Sequence, residues 1–368
     1  MSGAGTPSEL QVALEEDECA IERLRADWER LEAADPDATP FNSWLWNMFW
    51  WRHYGAGARL CLLVVRRADE VIGIAPMYCR PEREHRVLKR RVLRFIGTGG
   101  DTSPDYLGVV AAAADRESVI AATLDTVLAS AEWSTLELRY LAVGSVLDDV
   151  LQARLSALPG RVVTQDTLVL VEALPATWEA YRQSLTTKRR KQLKHRRNRL
   201  DKAGVARFVF ANTTSERKAA SDSLVALHRE RWSSKSEAGA FSSVAYEAFH
   251  RDVIEAFAAR DQLRLLSLEL DGETIGVLYA FAWRGQLMLF QSGLSPRHVW
   301  LSPGHLLFEH VIHDAIDRGM SKLDLLKGDY AYKTAWARTR TWVRTHRYMR
   351  PGASVWLAQI KDHLRTAT

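Results

Sequence analysis

Between residues 286 and 336 the sequence runs QLMLFQSGLSPRHVWLSPGHLLFEHVIHDAIDRGMSKLDLLKGDYAYKTAW, and its small, hydroxyl-bearing and ionisable residues recur where group-transfer chemistry would use them. Ser302, Pro303 and Gly304 have the pattern of a helix start, a cap followed by a residue suited to the first helical position. Gly304 would let a ligand approach the N–H groups that the first turn leaves exposed, and such a start attracts anions. Read as local structure, the same residues are an ordinary cap, and both readings stand. Asp324 follows in an apolar strand, where an unpaired charge is costly. It requires a partner, Lys333 or an arginine, either as a structural ion pair closing the turn or as a group in the chemistry. Lys333, beside Tyr332, could instead hold a phosphate or carboxylate. Together these residues suggest acyl transfer, which needs an amine or hydroxyl acceptor, a base or water path for its proton, and stabilisation of an oxyanion.

The loop GTGGDTSPDYLGVV (residues 97–110) carries Asp101, Asp105 and Tyr106. An acidic loop does not favour a phosphate. It could hold an acceptor amine or supply a base through Asp105, and as local structure it is an Asx-turn loop. His228, Arg231 and Trp232 fall on one predicted helix, His228 as packing or capping and Trp232 as a wall for a sugar or acyl group. Residues 182–202 hold ten Lys or Arg and one Asp, a charge of +9 in a chain of net +5, so the remainder carries −4. The apolar stripe of that segment, Leu185, Leu193 and Leu200, is thin for a core helix. It is either a solvated face or a contact for an anion such as tRNA, a polyphosphate-linked sugar or anionic lipid. It lacks the interleaved aromatics of a single-strand binder, and no zinc, P-loop or DNA-reading motif is present.

The elements that must position these residues are legible from periodicity. In the C-terminal half, 205–212 predicts a strand, 213–234 and 243–260 two helices, and 263–270, 274–283 and 286–293 three strands joined by Asp271-Gly272-Glu273 and Arg284-Gly285 turns. A helix then starts at Pro303 and stops at Gly319, followed by a strand over 322–326, a short helix around 330–337 and a strand over 341–349. The N-terminal half repeats the order: a weak strand at 10–14, helices over 19–34 and 43–54, strands at 60–66, 71–78 and 92–96, a helix over 115–131 and a strand at 135–140. DEVIGIAPMY (69–78) aligns with GETIGVLYAF (272–281), Gly73 on Gly276, and the pattern predicts a tandem repeat with domains 1–174 and 175–368.

At 368 residues the chain can hold two cores, and 47% apolar with 26% charged residues is a globular composition. Thirteen Trp imply many buried aromatics or cleft walls. Cys19, Cys61 and Cys79 lack metal-ligand spacing, and their sparse, odd number fits a reducing compartment, so no metal is expected. With neither a secretory leader nor a run approaching the ~20 apolar residues of a membrane span, the expectation is a cytoplasmic protein. Oligomeric state is not readable.

The element order resembles the acetyltransferase fold of the GNAT superfamily, a twisted sheet that splays between its fourth and fifth strands. SPGHLLFEHVIHDAIDRG followed by LDLLKGDYAYKTAW resembles the FemAB-related, GNAT acetyltransferase-like family of CelD/BcsL cellulose-biosynthesis type, through Pro303, Gly304, Arg318, Gly319, Asp324, Gly328, Asp329, Tyr332 and Lys333. FNSWLWNMFWWRHYG (41–55) and the loop over 97–110 extend the likeness to the N-terminal half. The resemblance implies an α/β protein of tandem GNAT-like domains. The second would be the donor side and the first a degenerate acceptor side, with the acceptor near Asp105 and Trp232. It implies acyl transfer from acyl-CoA or a similar thioester to a small-molecule or glycan acceptor in polysaccharide or cell-envelope metabolism. Gln291 and Ser292 would then polarise the thioester carbonyl beside the splay. Fem-type relatives use aminoacyl-tRNA instead, and a non-catalytic role in exopolysaccharide assembly is a third alternative. The full Arg/Gln-x-x-Gly-x-Gly/Ala pyrophosphate loop of typical GNAT enzymes is missing; Gly304, with Arg297 and His298 upstream, stands in its place.

Overall fold

The structure, a computed structural model, describes residues 9–84, 88–233 and 239–352. It divides into two compact units, one of residues 1–167 with 342–368 and one of Leu168–Thr341.

In unit 1, β1 (Leu10–Glu15) leads to α1 (Cys19–Arg23), α2 (Arg25–Ala34) and α3 (Trp44–Tyr54), then β2 (Arg59–Arg67), β3 (Glu70–Glu84), β4 (Leu88–Phe95), β5 (Val110–Ala111), α4 (Arg116–Ala129), β6 (Thr135–Ala142) and α5 (Val146–Ser156). The helix expected over 19–34 breaks at Leu24, whose backbone leaves the helical region. Strands β1 to β4 pair in antiparallel succession, and β4 pairs in parallel with β6. The helix α3 is apolar nearly all round and is accordingly buried, as a core helix must be. Its Trp50 donates to the Thr102 hydroxyl at 2.6 Å, which ties the 97–107 loop to the core.

β7 (Arg161–Ala173) begins in unit 1 and ends in unit 2. It went unread in the sequence, as did α5. Unit 2 continues with α6 (Trp178–Ser184), α7 (Thr187–Ala203), β8 (Ala206–Phe210), α8 (Thr214–Ser233), α9 (Val244–Ala258), β9 (Leu263–Leu270), β10 (Glu273–Trp283), β11 (Gln286–Leu294), α10 (Pro303–Asp317) and β12 (Lys322–Lys327). The strands follow the order β7-β12-β11-β10-β9-β8, parallel only between β11 and β12. Both hairpin turns place their central pair, Asp271-Gly272 and Arg284-Gly285, at positive φ, the I′ signature that matches strand twist. The basic segment is two helices rather than one: the chain breaks at Leu185, and Thr186 caps α7 by accepting from the Arg189 N–H. The last strand, β13 (Thr339–Met349), pairs with β6 of unit 1 rather than closing unit 2. The short helix expected near 330–337 is a single 3-10 turn, Lys333–Ala335.

Candidate active site

The unit 2 site is built on the end of the one parallel pair. β11 and β12 pair at Gln286–Met288 against Lys322–Asp324 and then part. Both strands bulge there. On β11 the pairing with β10 jumps from Leu289 to Gln291, so Phe290 is the extra residue. On β12 the pairing with β7 jumps from Asp324 to Lys327, with Leu326 at φ 55. A bulge bends its strand and re-aims its edge. The gap therefore has Phe290, Gln291 and Ser292 on one lip and Leu325, Leu326 and Lys327 on the other. The helix α8 crosses close behind the first lip: a Cβ on Gly293 would stand 2.6 Å from the Leu224 carbonyl.

Asp324 and Lys333 grip the second lip from both sides. Asp324, 1% exposed, accepts from the Leu326 N–H at 2.8 Å, and Lys322 lies 3.9 Å from its other oxygen. Lys333, 5% exposed, donates to the carbonyls of Leu326 (2.9 Å) and Lys327 (2.6 Å). Asp324 and Lys333 are thus in the wall, bonded to main chain. Tyr332 is 44% exposed, stacked on Tyr330 and edge-on to Phe308. Gln291 and Ser292 are half-buried, the Gln291 side-chain oxygen accepting from the Ser292 N–H at 3.3 Å.

The start of α10 differs from an ordinary cap. Ser302 lies in the left-handed region (φ 59, ψ 53), and its hydroxyl makes no capping bond; it lies 3.5 Å from Arg199 Nη2 instead. Gly304 packs on β11, since a Cβ there would come 2.9 Å from Leu294. Around this start stand side chains that the sequence did not single out. On α7, Leu193 and Leu200 are buried in the core, and Arg197 pairs with the buried Glu309 of α10. That anchoring turns Arg189, Arg196 and Arg199 towards the α10 start. His305 Nδ1 lies 3.3 Å from Arg189 Nη2 and 3.2 Å from Trp336 Nε1. Both neighbours are donors, so Nδ1 is the acceptor. Burial, then Arg196 and Arg189, hold this imidazole down to about 4 and keep it neutral. Arg189 lies over the Trp336 ring at 4.6 Å, and burial with the charge of Arg196 pulls it down to about 10. The repeat Arg189, Leu193, Arg196, Leu200 was the available signal, because residues seven apart share a helix face.

His228 is buried edge-on to Phe241; burial, then Arg231, lowers it to about 4. Trp232 falls in the last turn of α8, but its side chain lies outside the described residues. The remaining candidates belong to unit 1: Asp105 is buried, Asp101 exposed, and Tyr106 half-buried at φ 63, its N–H donating to the Tyr140 carbonyl at 2.9 Å. Among the described residues no group of three or more His, Cys, Asp or Glu side chains could hold a metal ion, and no helix is long and apolar enough to cross a membrane.

Residues 187–334, from the start of α7 to just past β12, match the family pattern described as an acetyltransferase (GNAT) domain. Among solved structures the chain is similar to FemX, at 10% identity and TM-score 0.61, over 88% of this chain and 95% of that one. It is also similar to L-PGS from Bacillus licheniformis (12%, TM-score 0.54, 94% and 96% covered). A third likeness is to the C-terminal domain of a putative lysylphosphatidylglycerol synthetase from Agrobacterium fabrum (10%, TM-score 0.53, 95% and 96% covered). No curated protein matches. At these identities the likeness concerns the fold, which is the mixed α/β, tandem GNAT-like arrangement that the element order implied.

Proposed function

We propose that unit 2 is an acyltransferase that passes an acyl group from an acyl-CoA-type carrier to an amine or hydroxyl acceptor. The observation that carries this reading is the parting of β11 from β12 after Met288 and Asp324, in front of the start of α10. A strand edge that has left its partner turns main-chain N–H groups into the gap. Such preorganised donors stabilise the oxyanion formed when the acceptor attacks the acyl carbonyl. Gln291 and Ser292 add polar side chains at the same lip. Collapse of the tetrahedral adduct breaks the C–S bond, the thiolate leaves with the carrier, and the acceptor's proton passes to water. Asp324 and Lys333 serve as positioning residues, holding Leu326 and the far lip in place. The acetyltransferase match over 187–334 takes in both strands and α10. An amine or hydroxyl of a cell-envelope or polysaccharide precursor is the acceptor class that the CelD/BcsL-like motif suggests.

The test is release of free thiol from acetyl-CoA and longer acyl-CoAs with a panel of amino sugars and amines. Turnover is expected, with Gln291→Ala lowering kcat by roughly 10-fold or more while KM for the donor changes little. A stable wild-type protein that neither binds nor consumes any thioester sinks this reading.

One observation favours a second donor. The outward face of α7 exposes Lys188, Lys191 and Lys194, a cationic surface apart from the arginines at the α10 start. Aminoacyl-tRNA would use it. Binding of tRNA that weakens steeply with salt and is lost on changing these lysines to glutamate would place the donor there.

A further inference from the structure

We infer that Arg189, Arg196 and Arg199 of α7 form a polyphosphate clamp at the start of α10, and that these side chains, rather than a glycine-rich main-chain loop, hold the phosphates of the donor's carrier.

The arginines occupy a built position. Leu193 and Leu200 are each 3% exposed, and Glu309, 5% exposed, holds Arg197, so α7 is fixed against α10. Arg189 is oriented by the Trp336 ring and by His305 Nδ1, and Arg199 reaches the Ser302 hydroxyl. Yet Arg189 Nε, Arg196 Nη1 and Arg199 Nε are buried without a protein partner. Three guanidinium groups are therefore partly withdrawn from water, in mutual repulsion, with buried donors unspent. Among the described residues Glu309 is the one carboxylate acting on Arg189 and Arg196, and it is already engaged by Arg197. Such an arrangement costs stability unless an anion completes it, because each unmet buried donor and each like-charge pair is unfavourable. Guanidinium groups match phosphoryl oxygens with forked N–H donors.

Spacing narrows the ligand. Arg189 and Arg196 are two helical turns apart, about 10.5 Å along the axis, and Arg199 lies about 4.5 Å further. A row of that length suits two or more linked phosphoryl groups, not one. The main-chain alternative is weak because Pro303 has no N–H, Gly304 packs on Leu294 and Ser302 is left-handed. The pyrophosphate of a CoA-type carrier and successive phosphates of an RNA share this chemistry.

The identity of the carrier rests on the acyl-transfer reading, but phosphate binding is measured without any acyl group, so the two can fail separately. Isothermal calorimetry on the full chain should show inorganic pyrophosphate binding at least 10-fold more tightly than orthophosphate, with a rise in Tm. Arg189→Ala, Arg196→Ala and Arg199→Ala should each weaken pyrophosphate at least 10-fold. Lys191→Ala and Lys194→Ala, on the exposed face, should change it less than 2-fold. A merely structural role predicts that Arg196→Ala lowers Tm in the absence of ligand; relief of repulsion predicts an unchanged or higher Tm. Competition then separates the sources: displacement of pyrophosphate by CoA or ADP assigns a nucleotide carrier, and displacement by tRNA alone assigns an RNA. Pyrophosphate affinity that is absent in wild type, or that survives the triple alanine variant, overturns the clamp.

Discussion

In unit 1, β4 and β6 run together at Val92–Leu93 and Thr135–Leu136 and then part, as β11 and β12 do in unit 2 after Met288 and Asp324. Unit 1 fills the opening with its own side chains. Arg94 and Glu137, the next residues on the two strands, bond across it, with Glu82 on the other side of Arg94 and Arg139 on Glu137. Burial alone would lower Arg94, but the bond to Glu82 and the charge of Glu137 raise it; Glu137 is lowered because Arg94 and Arg139 outweigh its burial. The start of α4 is likewise closed by opposite charges, Arg116 on Asp35 and Asp37, and Arg67 on Asp115. Unit 2 leaves its lips lined by half-buried Gln291 and Ser292, and surrounds its helix start with arginines that share the carboxylate of Glu309. On the proposed reading, the same backbone device serves stability in one unit and a ligand in the other.

The contrast can be broken first at its strongest point. Arg94→Ala would leave the buried Glu137 with Arg139 alone as its partner, and is expected to cost about 3 kcal/mol in chemical denaturation. A cost no larger than that of Arg196→Ala would mean that the two openings are alike.

Acid is expected to separate the units next. His250, His228 and His305 of unit 2 are held by burial, with arginines assisting in the latter two, at about 3, 4 and 4. An ordinary histidine titrates near ~6.5. The folded groups bind fewer protons than the unfolded ones, so the stability they contribute is complete above that value and falls as pH drops towards 4. Glu137 of unit 1 is lowered, and its contribution begins to fall only below the ordinary Glu value of ~4.3. Hydrogen exchange at pH 5 should therefore show unit 2 opening before unit 1, and His250→Phe should flatten the dependence. Unit 1 opening first would contradict the assignment.

Asp324→Asn keeps the shape of the brace on Leu326 but removes its charge. It should lower Tm by an amount equivalent to about 1–3 kcal/mol and reduce donor turnover. Normal turnover with a lowered Tm would limit Asp324 to stability. Arg197→Ala, one half-exposed partner of Glu309, is expected to cost the least, about 1 kcal/mol. A larger loss would make the seating of α7 a major element of the unit.

Much of the architecture could be read from local chemistry. The Asp271-Gly272 and Arg284-Gly285 turns, the Pro303 start and the apolar runs of β9 to β11 gave elements within a residue or two of those observed. β7 was missed although RVVTQDTLVLVEA is rich in β-branched residues, because its first half is largely exposed and its apolar half adjoins the composition change near Pro175. The site was less legible. Ser302 has the identity of a cap and the backbone of something else, which no propensity reveals. Asp324 and Lys333 carry charges that suggest chemistry, but their bonds to Leu326 depend on a bulge formed only once β7 and β12 pair. The arginine run was visible as charge; which three of its members face inward follows from Leu193 and Leu200 finding the core.

The placement of β13 sets the order in which the chain can assemble. Leu168–Thr341 is complete as a unit when residue 341 has been synthesised, whereas the β6 edge of unit 1 waits for Val343–Met349, some two hundred residues after β6 itself. Pairing across such a separation is slow, and an unpartnered strand edge is prone to wrong association. On the ribosome the later-encoded unit is therefore expected to mature first, the earlier one staying unfinished until its final strand returns. A chain interrupted just before β13 would keep Lys333 and Trp336, and with them the gap and the proposed clamp, while leaving unit 1 with an open, aggregation-prone edge.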